Sequence, residues 1–256
     1  LGYEVLVGGA VTADTRMGLP VQEKLDAAYE RALAAGVSPA LAAQMRDGRT
    51  GVIGVLRADE GPVVALRFDM DALPLAESMD ADRQAVRAGY VSAQAGSMHA
   101  CGHDGHTAIG LGVAEILAGH CAQLHGTVKL IFQPAEEGVR GAAAIVEKGH
   151  LDDVDVLLAA HIQERGDLDG DVIPGSCGAY ATTKLDAHFR GRAAHAASAP
   201  EQGRNVMLAL ATAISNLYAI PRHSGGASRV NVGTVRAGSG RNIIADAADM
   251  ALEVRG

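Results

Sequence analysis

Val63-Val64-Ala65-Leu66-Arg67-Phe68-Asp69-Met70-Asp71-Ala72-Leu73-Pro74 is an apolar run that ends in two closely spaced acids and a proline. A run so continuously apolar reads as a strand covered by helices on both faces. The form recurs along the chain. Residues 128–132 run into Glu136 and Glu137, residues 156–160 run into His161, and residues 52–56 give a fourth strand candidate. Amphipathic stretches at residues 21–35, 106–117 and 141–148 read as helices between them. Strands alternating with helices predict an α/β domain. In such sheets ligands bind beyond the carboxyl ends of the strands, and three of these ends carry side chains of metal-binding type.

The pattern changes after about Gly178. Residues 180–189 alternate like a half-exposed strand, and a helix over 205–218 follows, with Val206, Leu210, Ile214 and Leu217 at helical spacing. Strand candidates at 229–235 and 250–254 come next, joined through Gly238-Ser239-Gly240. That order is the first part of a ferredoxin-like βαββαβ unit. The expected division is a first domain over 1–177 and a smaller second domain over 178–256 that the chain leaves unfinished. An opening at Leu1, without methionine, and a stop at Gly256 just after a strand read as a piece of a longer protein.

Bulk properties narrow the function classes. Apolar residues make up 48% and charged ones 20%, a globular rather than a disordered balance. No apolar run is long enough to span a bilayer, and the start does not resemble a signal peptide. A net charge of −8 argues against nucleic acid as partner. Cys101, Cys121 and Cys177 are odd in number and at no disulfide-framework spacing, which fits a reducing compartment; a cytoplasmic protein is expected.

The densest chemistry lies in Met98-His99-Ala100-Cys101-Gly102-His103-Asp104-Gly105-His106. Soft and borderline ligands among small residues, with a helix starting directly after, suit a metal site. A helix start capped by Asp104 with solvated histidines is the bland alternative. In Gln133-Pro134-Ala135-Glu136-Glu137-Gly138, one carboxylate could bind metal while its neighbour handles protons; alone, it reads as a surface pair. His161 alone reads as a satisfied core residue, and Asp69 and Asp71 as ligands or as orienters of a ligating histidine. Their joint placement at one sheet edge favours a metal site. A cysteine nucleophile leaves Glu136, Glu137 and His161 without a task, and a structural zinc favours closed Cys/His sets at loop spacing.

Arg67 through Pro74, Met98 through His106, and Phe132 through Gly138 resemble the metal motifs of the M20 family of metallopeptidases and amidohydrolases. The cysteine is similar to that of the aminoacylase-like, hippurate and auxin-conjugate hydrolase branch. Ala181-Thr182-Thr183-Lys184, Ala193-Ala194-His195-Ala196, Gly203-Arg204-Asn205 and Ala227-Ser228-Arg229-Val230-Asn231-Val232-Gly233 resemble the subgroup acting on p-aminobenzoyl-glutamate. The resemblance implies a zinc-peptidase-like catalytic domain with a mixed, mainly parallel sheet, plus an inserted ferredoxin-like lid and dimerisation domain, both incomplete. It implies cleavage of p-aminobenzoyl-glutamate or a similar N-acyl amino acid, with hippurate-type hydrolysis or an inactive metal-binding fragment as alternatives. Cys101 would bridge two divalent ions, manganese or zinc with cobalt also suited. His103 and His161 would complete one ion's ligands, and Glu137 would bind the other. Glu136 would be general base and then acid, and Asp69 would orient the ligands. His195 would reach a dimer partner's site, and Asn231 would touch substrate. A homodimer, or a heteromer with a related B-type subunit, is implied.

The sequence also departs from the family pattern. A further metal-binding histidine and the helix before the first strand are absent from this chain, Gln163-Glu164-Arg165 is bulkier than expected after His161, and Ala245 stands where proline is common.

Overall fold

The computed structural model describes residues 1–162, 170–175 and 180–256, and short strands and helices alternate along the first and last of these segments. Two compact units result, Leu1–Asp167 and Leu168–Gly256. Cys177 and Gln163-Glu164-Arg165 lie outside the described residues, as does the expected division between 177 and 178.

The first unit contains β1 (Glu4–Val7), α1 (Gln22–Ala34), α2 (Pro39–Gln44), β2 (Val52–Arg57), β3 (Val63–Asp69), α3 (Gln84–Ala88), α4 (His103–Gly119), β4 (Thr127–Gln133), α5 (Gly141–Glu147) and β5 (Val156–Ala159). The strands form one sheet in the order β1-β2-β4-β3-β5. The β3–β4 and β3–β5 pairs are parallel, and the β1–β2 and β2–β4 pairs antiparallel. The sheet is therefore mixed, with pairings evenly split rather than mainly parallel. Parallel register brings the carboxyl ends of β3, β4 and β5 to one edge, with Asp69 opposite Gln133 and Arg67 opposite Ala159.

Val11, Ile53, Val55, Ala65, Ile131 and Ile145 make the core of this unit. Helix α4 lies close on the sheet because Gly110 has no side chain. A Cβ there would stand 2.7 Å from the ring of Phe132 and 2.9 Å from that of Phe68. Two features correct the expectations. Helix α4 begins at His103, three residues before the expected start, because Gly102 at φ 82° turns the chain straight into it. And β5, expected to be covered on both faces, is an edge strand whose Val156, Leu157 and Leu158 remain 46%, 49% and 55% exposed.

The second unit contains β6 (Thr182–Arg190), α6 (Val206–Tyr218), β7 (Arg229–Ala237) and β8 (Ala247–Arg255). Its antiparallel sheet has the order β6-β8-β7, so the last strand lies in the middle. Asn205 caps α6 by accepting from the Met207 N–H at 3.0 Å. One face of α6 packs Val206 and Leu210 against Ala248, Met250 and Leu252 of β8. Among the described residues no helix is long and apolar enough to cross a membrane.

Candidate metal centre

Three strand ends and the first turn of α4 build the site. Because α4 starts at His103, His103 and His106 are three residues apart on one helix face, and both are buried, at 0% and 3% exposure. His103 donates from Nδ1 to the Asp71 carbonyl at 2.9 Å. A carbonyl only accepts, so the proton sits on Nδ1 and Nε2 is left as a lone-pair donor to a metal. His161 repeats the arrangement, donating from Nδ1 to the Ile162 carbonyl at 2.6 Å and leaving Nε2 at 3.6 Å from Cys101 Sγ.

The carboxylates come from the connection after β4. Asp71 Oδ1 accepts from the Glu136 N–H at 2.9 Å, and Oδ2 from the Glu137 N–H at 3.1 Å. One side chain thus fastens the turn that carries both glutamates. Ala135, at φ 53°, supplies the left-handed step that bends the chain there. Glu136 Oε2 stands 3.8 Å and Glu137 Oε1 3.9 Å from His103 Nε2. His103 Nε2 and Glu137 Oε1 are both buried without a hydrogen-bond partner among the described residues. Such orphans are costly unless something fills the gap.

A divalent cation fits that gap. Tetrahedral bonds of about 2.0–2.3 Å space ligand atoms about 3.3–3.8 Å apart, against 3.6 Å for Cys101–His161 and 3.9 Å for His103–Glu137. Cys101, His103 and His161 form one candidate metal-holding group, and His103, Glu136 and Glu137 another. The electrostatics point the same way. Burial, then hydrogen bonding and charge from Glu137, then Glu136 and Asp69, push the Cys101 thiol up to about 11. A thiolate nucleophile working without a cation is disfavoured in that setting.

Asp69 sits beside these candidate ligands, fully buried at 0% exposure. It accepts from Arg67 Nη1 at 2.7 Å and from His106 Nδ1 at 2.5 Å. Burial alone would raise its carboxyl, but the His106 hydrogen bond and the Arg67 charge outweigh that and hold it below the ordinary value. His106 then accepts the Ile162 N–H at Nε2, at 2.8 Å. A third candidate group, Asp69, His103 and His106, therefore differs from the other two, because both His106 nitrogens are already engaged.

The first unit thus brings together Cys101, His103, Glu136, Glu137, His161 and Asp69. His195 and Asn231 belong to the second unit. There His195 Nδ1 accepts from the Ala197 and Ser198 N–H groups at 3.2 and 3.1 Å, and Asn231 lies opposite Glu253 on β7, with Oδ1 accepting from the Tyr218 hydroxyl at 3.4 Å. Sequence reasoning left His106 without a role and did not see that Asp71 holds the backbone of the glutamate turn. The signal available was the crowding of His106 with Cys101 and His103.

The chain is similar to several known proteins. The chain is 50% identical to the A-type subunit of p-aminobenzoyl-glutamate hydrolase from Escherichia coli strain K12, over 100% of the chain and 59% of that protein. It is also 50% identical to indole-3-acetyl-aspartic acid hydrolase of Enterobacter agglomerans, with the same coverage. The chain therefore spans about 59% of the length of these curated relatives. Among solved structures, the aminobenzoyl-glutamate utilization protein from Klebsiella pneumoniae superposes with a TM-score of 0.80 at 45% identity, covering 100% of this chain and 58% of that one. A dinuclear metal binding M20 peptidase from Bacillus subtilis gives a TM-score of 0.56 at 29% identity, over 97% of this chain and 61% of that one. Residues 65–238, most of both units, match the sequence pattern of one peptidase family. The chain belongs to Peptidase family M20/M25/M40.

Proposed function

We propose that the intact protein is a dinuclear metal-dependent amidohydrolase that cleaves the amide bond of N-acyl amino acids, with p-aminobenzoyl-glutamate as its first candidate substrate. The observation that carries the reading is the pair of buried, partnerless atoms His103 Nε2 and Glu137 Oε1, 3.9 Å apart, with Glu136 alongside. Two relatives at equal identity, one named for a glutamate conjugate and one for an aspartate conjugate, support the wider substrate class.

On this reading Cys101, His103, Glu137 and His161 hold the ions, zinc or manganese with cobalt as a third fit. Divalent ions held there would acidify bound water to near neutrality and offset charge on the carbonyl oxygen. The rest falls to the chain's own side chains. Glu136, beside that position and fixed by its N–H bond to Asp71, takes the water proton and delivers it to the leaving amine nitrogen. Asp69 and Asp71 hold His106, His103 and the glutamate turn in register. The first unit is the catalytic domain and the second the lid and dimerisation domain, from which His195 steadies the oxyanion in a partner's site and Asn231 touches substrate. We place the protein in the cytoplasm as a homodimer or as a heteromer with a related B-type subunit. The E. coli relative, named as one subunit of its hydrolase, supports the second arrangement.

Glu136→Gln in the full-length protein tests the reading. Metal content by elemental analysis should stay at the wild-type level, while release of glutamate from p-aminobenzoyl-glutamate falls by about a hundredfold or more. Near-normal turnover would remove Glu136 from its role, and a wild-type protein that takes up no metal would overturn the reading.

A further inference from the structure

A cavity of about 570 Å³ in the first unit is walled on one side by Asp71, Pro134 and Ala135, the residues that fasten and lead into the Glu136–Glu137 turn. Its volume is that of an ordinary small-molecule site. Much of the remaining wall comes from the segment between β1 and β2, including Arg16 and Leu19. That segment precedes residue 65, where the match to the family begins, so this part of the wall lies outside the family's metal motifs.

The wall is apolar except for a few groups of definite chemistry. Two are guanidiniums, Arg16 and Arg140. Arg16 Nη1 donates to the Asp47 carbonyl, while its Nε is buried with no hydrogen-bond partner among the described residues. Arg140 Nη1 donates to the Gly18 carbonyl at 3.1 Å. Both bonds go to neutral acceptors, and among the described residues neither guanidinium forms an ion pair, whereas neighbouring Arg49 pairs with Asp14 at 2.7 Å. Burial and the Arg49 charge both lower Arg16's hold on its proton, outweighing the opposing pull of Asp14 and Asp47, a strain that a bound anion would relieve. The wall's own carboxylate, Asp71, is already engaged by two backbone N–H groups. What is left is two planar cations without an ion pair among the described residues, one of them with a buried and unpartnered Nε, set among apolar side chains. Guanidinium forks match a carboxylate in geometry and charge, and the apolar remainder matches a hydrocarbon or aromatic body.

We propose that this cavity binds small amphipathic carboxylates, an apolar body bearing an acid group, with Arg16 and Arg140 holding the acid. The acid can be that of the N-acyl amino acid under hydrolysis or that of a separate molecule. Assigning it to the substrate rests on the hydrolase reading, whereas the binding itself does not. Either occupant lies against Asp71, and so against the residue that positions Glu136 and Glu137.

The probe is 4-fluorobenzoate, followed by ¹⁹F NMR titration of the full-length protein after chelator treatment, so that no metal competes for the acid. Saturable binding is expected, with 4-fluorobenzamide weaker by about tenfold or more, as expected for loss of a charge-assisted hydrogen bond. Arg16→Gln and Arg140→Gln should each weaken 4-fluorobenzoate by a similar factor with the thermal melt intact. If Arg16→Gln fails to fold, Leu19→Trp, at a side chain 42% exposed, narrows the cavity and should weaken binding instead. No saturable binding, equal affinity for acid and amide, or indifference to both arginine variants would overturn the proposal. The source is settled by competition and kinetics. Displacement of the probe by N-benzoyl-glutamate, with Arg16→Gln raising KM for it, assigns the substrate; lack of displacement, or an unchanged KM, assigns a separate acid. Both outcomes support the cavity's chemistry. Failure of the hydrolase reading would show as probe binding without turnover, and failure of this proposal as turnover without probe binding.

Discussion

His106 is committed at both ring nitrogens, donating to Asp69 and accepting from the Ile162 N–H, so it links the end of β3 to the residue after His161. Its ring also meets that of His161 edge-on, with centroids 4.6 Å apart. A group so placed orients a ligand without being one. In the full-length protein His106→Ala should lower metal affinity by about 10–100-fold. It should also cost about 1–3 kcal/mol of stability for each buried group left unpaired. His106→Gln, which can donate at one end and accept at the other, should recover part of the affinity. Chelator competition and thermal melts measure both effects. Unchanged metal affinity in His106→Ala would sink the positioning role. None of this was legible in the sequence, although His106 stood in the quoted cluster. A histidine's role depends on which nitrogen carries the proton, and the groups that decide it lie 37 residues before and 56 residues after it. Cys101, His103, Glu136, Glu137 and His161 were easier to group, because strand ends and the start of a helix set them at one sheet edge, although the glutamate pair and His161 taken singly read otherwise.

At the scale of elements, helix α4 carries His103 and His106, and its seat on β3 and β4 sets where they point. The seat depends on Gly110, whose absent side chain is replaced by the rings of Phe68 and Phe132, themselves 5.5 Å apart between centroids. Gly110→Ala forces those rings or the helix to move, and overpacking of that kind costs about 1–3 kcal/mol. The variant should melt lower and bind metal more weakly, even though the substitution favours helix and touches no ligand. A melt at or above wild type would mean that the aromatic pair gives way freely. The sequence revealed the strands whose apolar runs end in side chains of metal-binding type, and the helix that follows Cys101, but it set that helix three residues late because glycine and histidine weaken its apolar period. The five- and six-residue helices α3 and α2 are too short to show a period at all. The apolar run of β5 marks a strand correctly but says nothing of its cover: Leu157 and Leu158 read as core residues, and lie on an edge strand.

At the scale of the whole molecule, the two units have separate hydrophobic cores. Val11, Ile53 and Ile131 belong to the first, and Val206, Leu210 and Met250 to the second, with no shared member. In the sequence, the apolar runs of the first part and the alternating strands of residues 182–190, 229–237 and 247–255 differ in the same way. Cores without common residues destabilise separately, because energetic coupling needs contact or a shared network. Multidomain chains of this kind commonly depart from a single two-state transition. Leu210, 5% exposed in the second core, makes a clean probe. Leu210→Ala should remove about 2–5 kcal/mol from its own unit and lower one calorimetric transition, leaving the other in place. Gly110→Ala should shift the other transition and spare the first. Metal titration distinguishes the units again: saturating zinc should raise the transition that Gly110→Ala lowers, because a ligand bound only by the native form stabilises the unit that holds it. A single transition shifted alike by both variants and by zinc would show that the units unfold as one, and would place the cost of any substitution in the second unit directly on the metal centre.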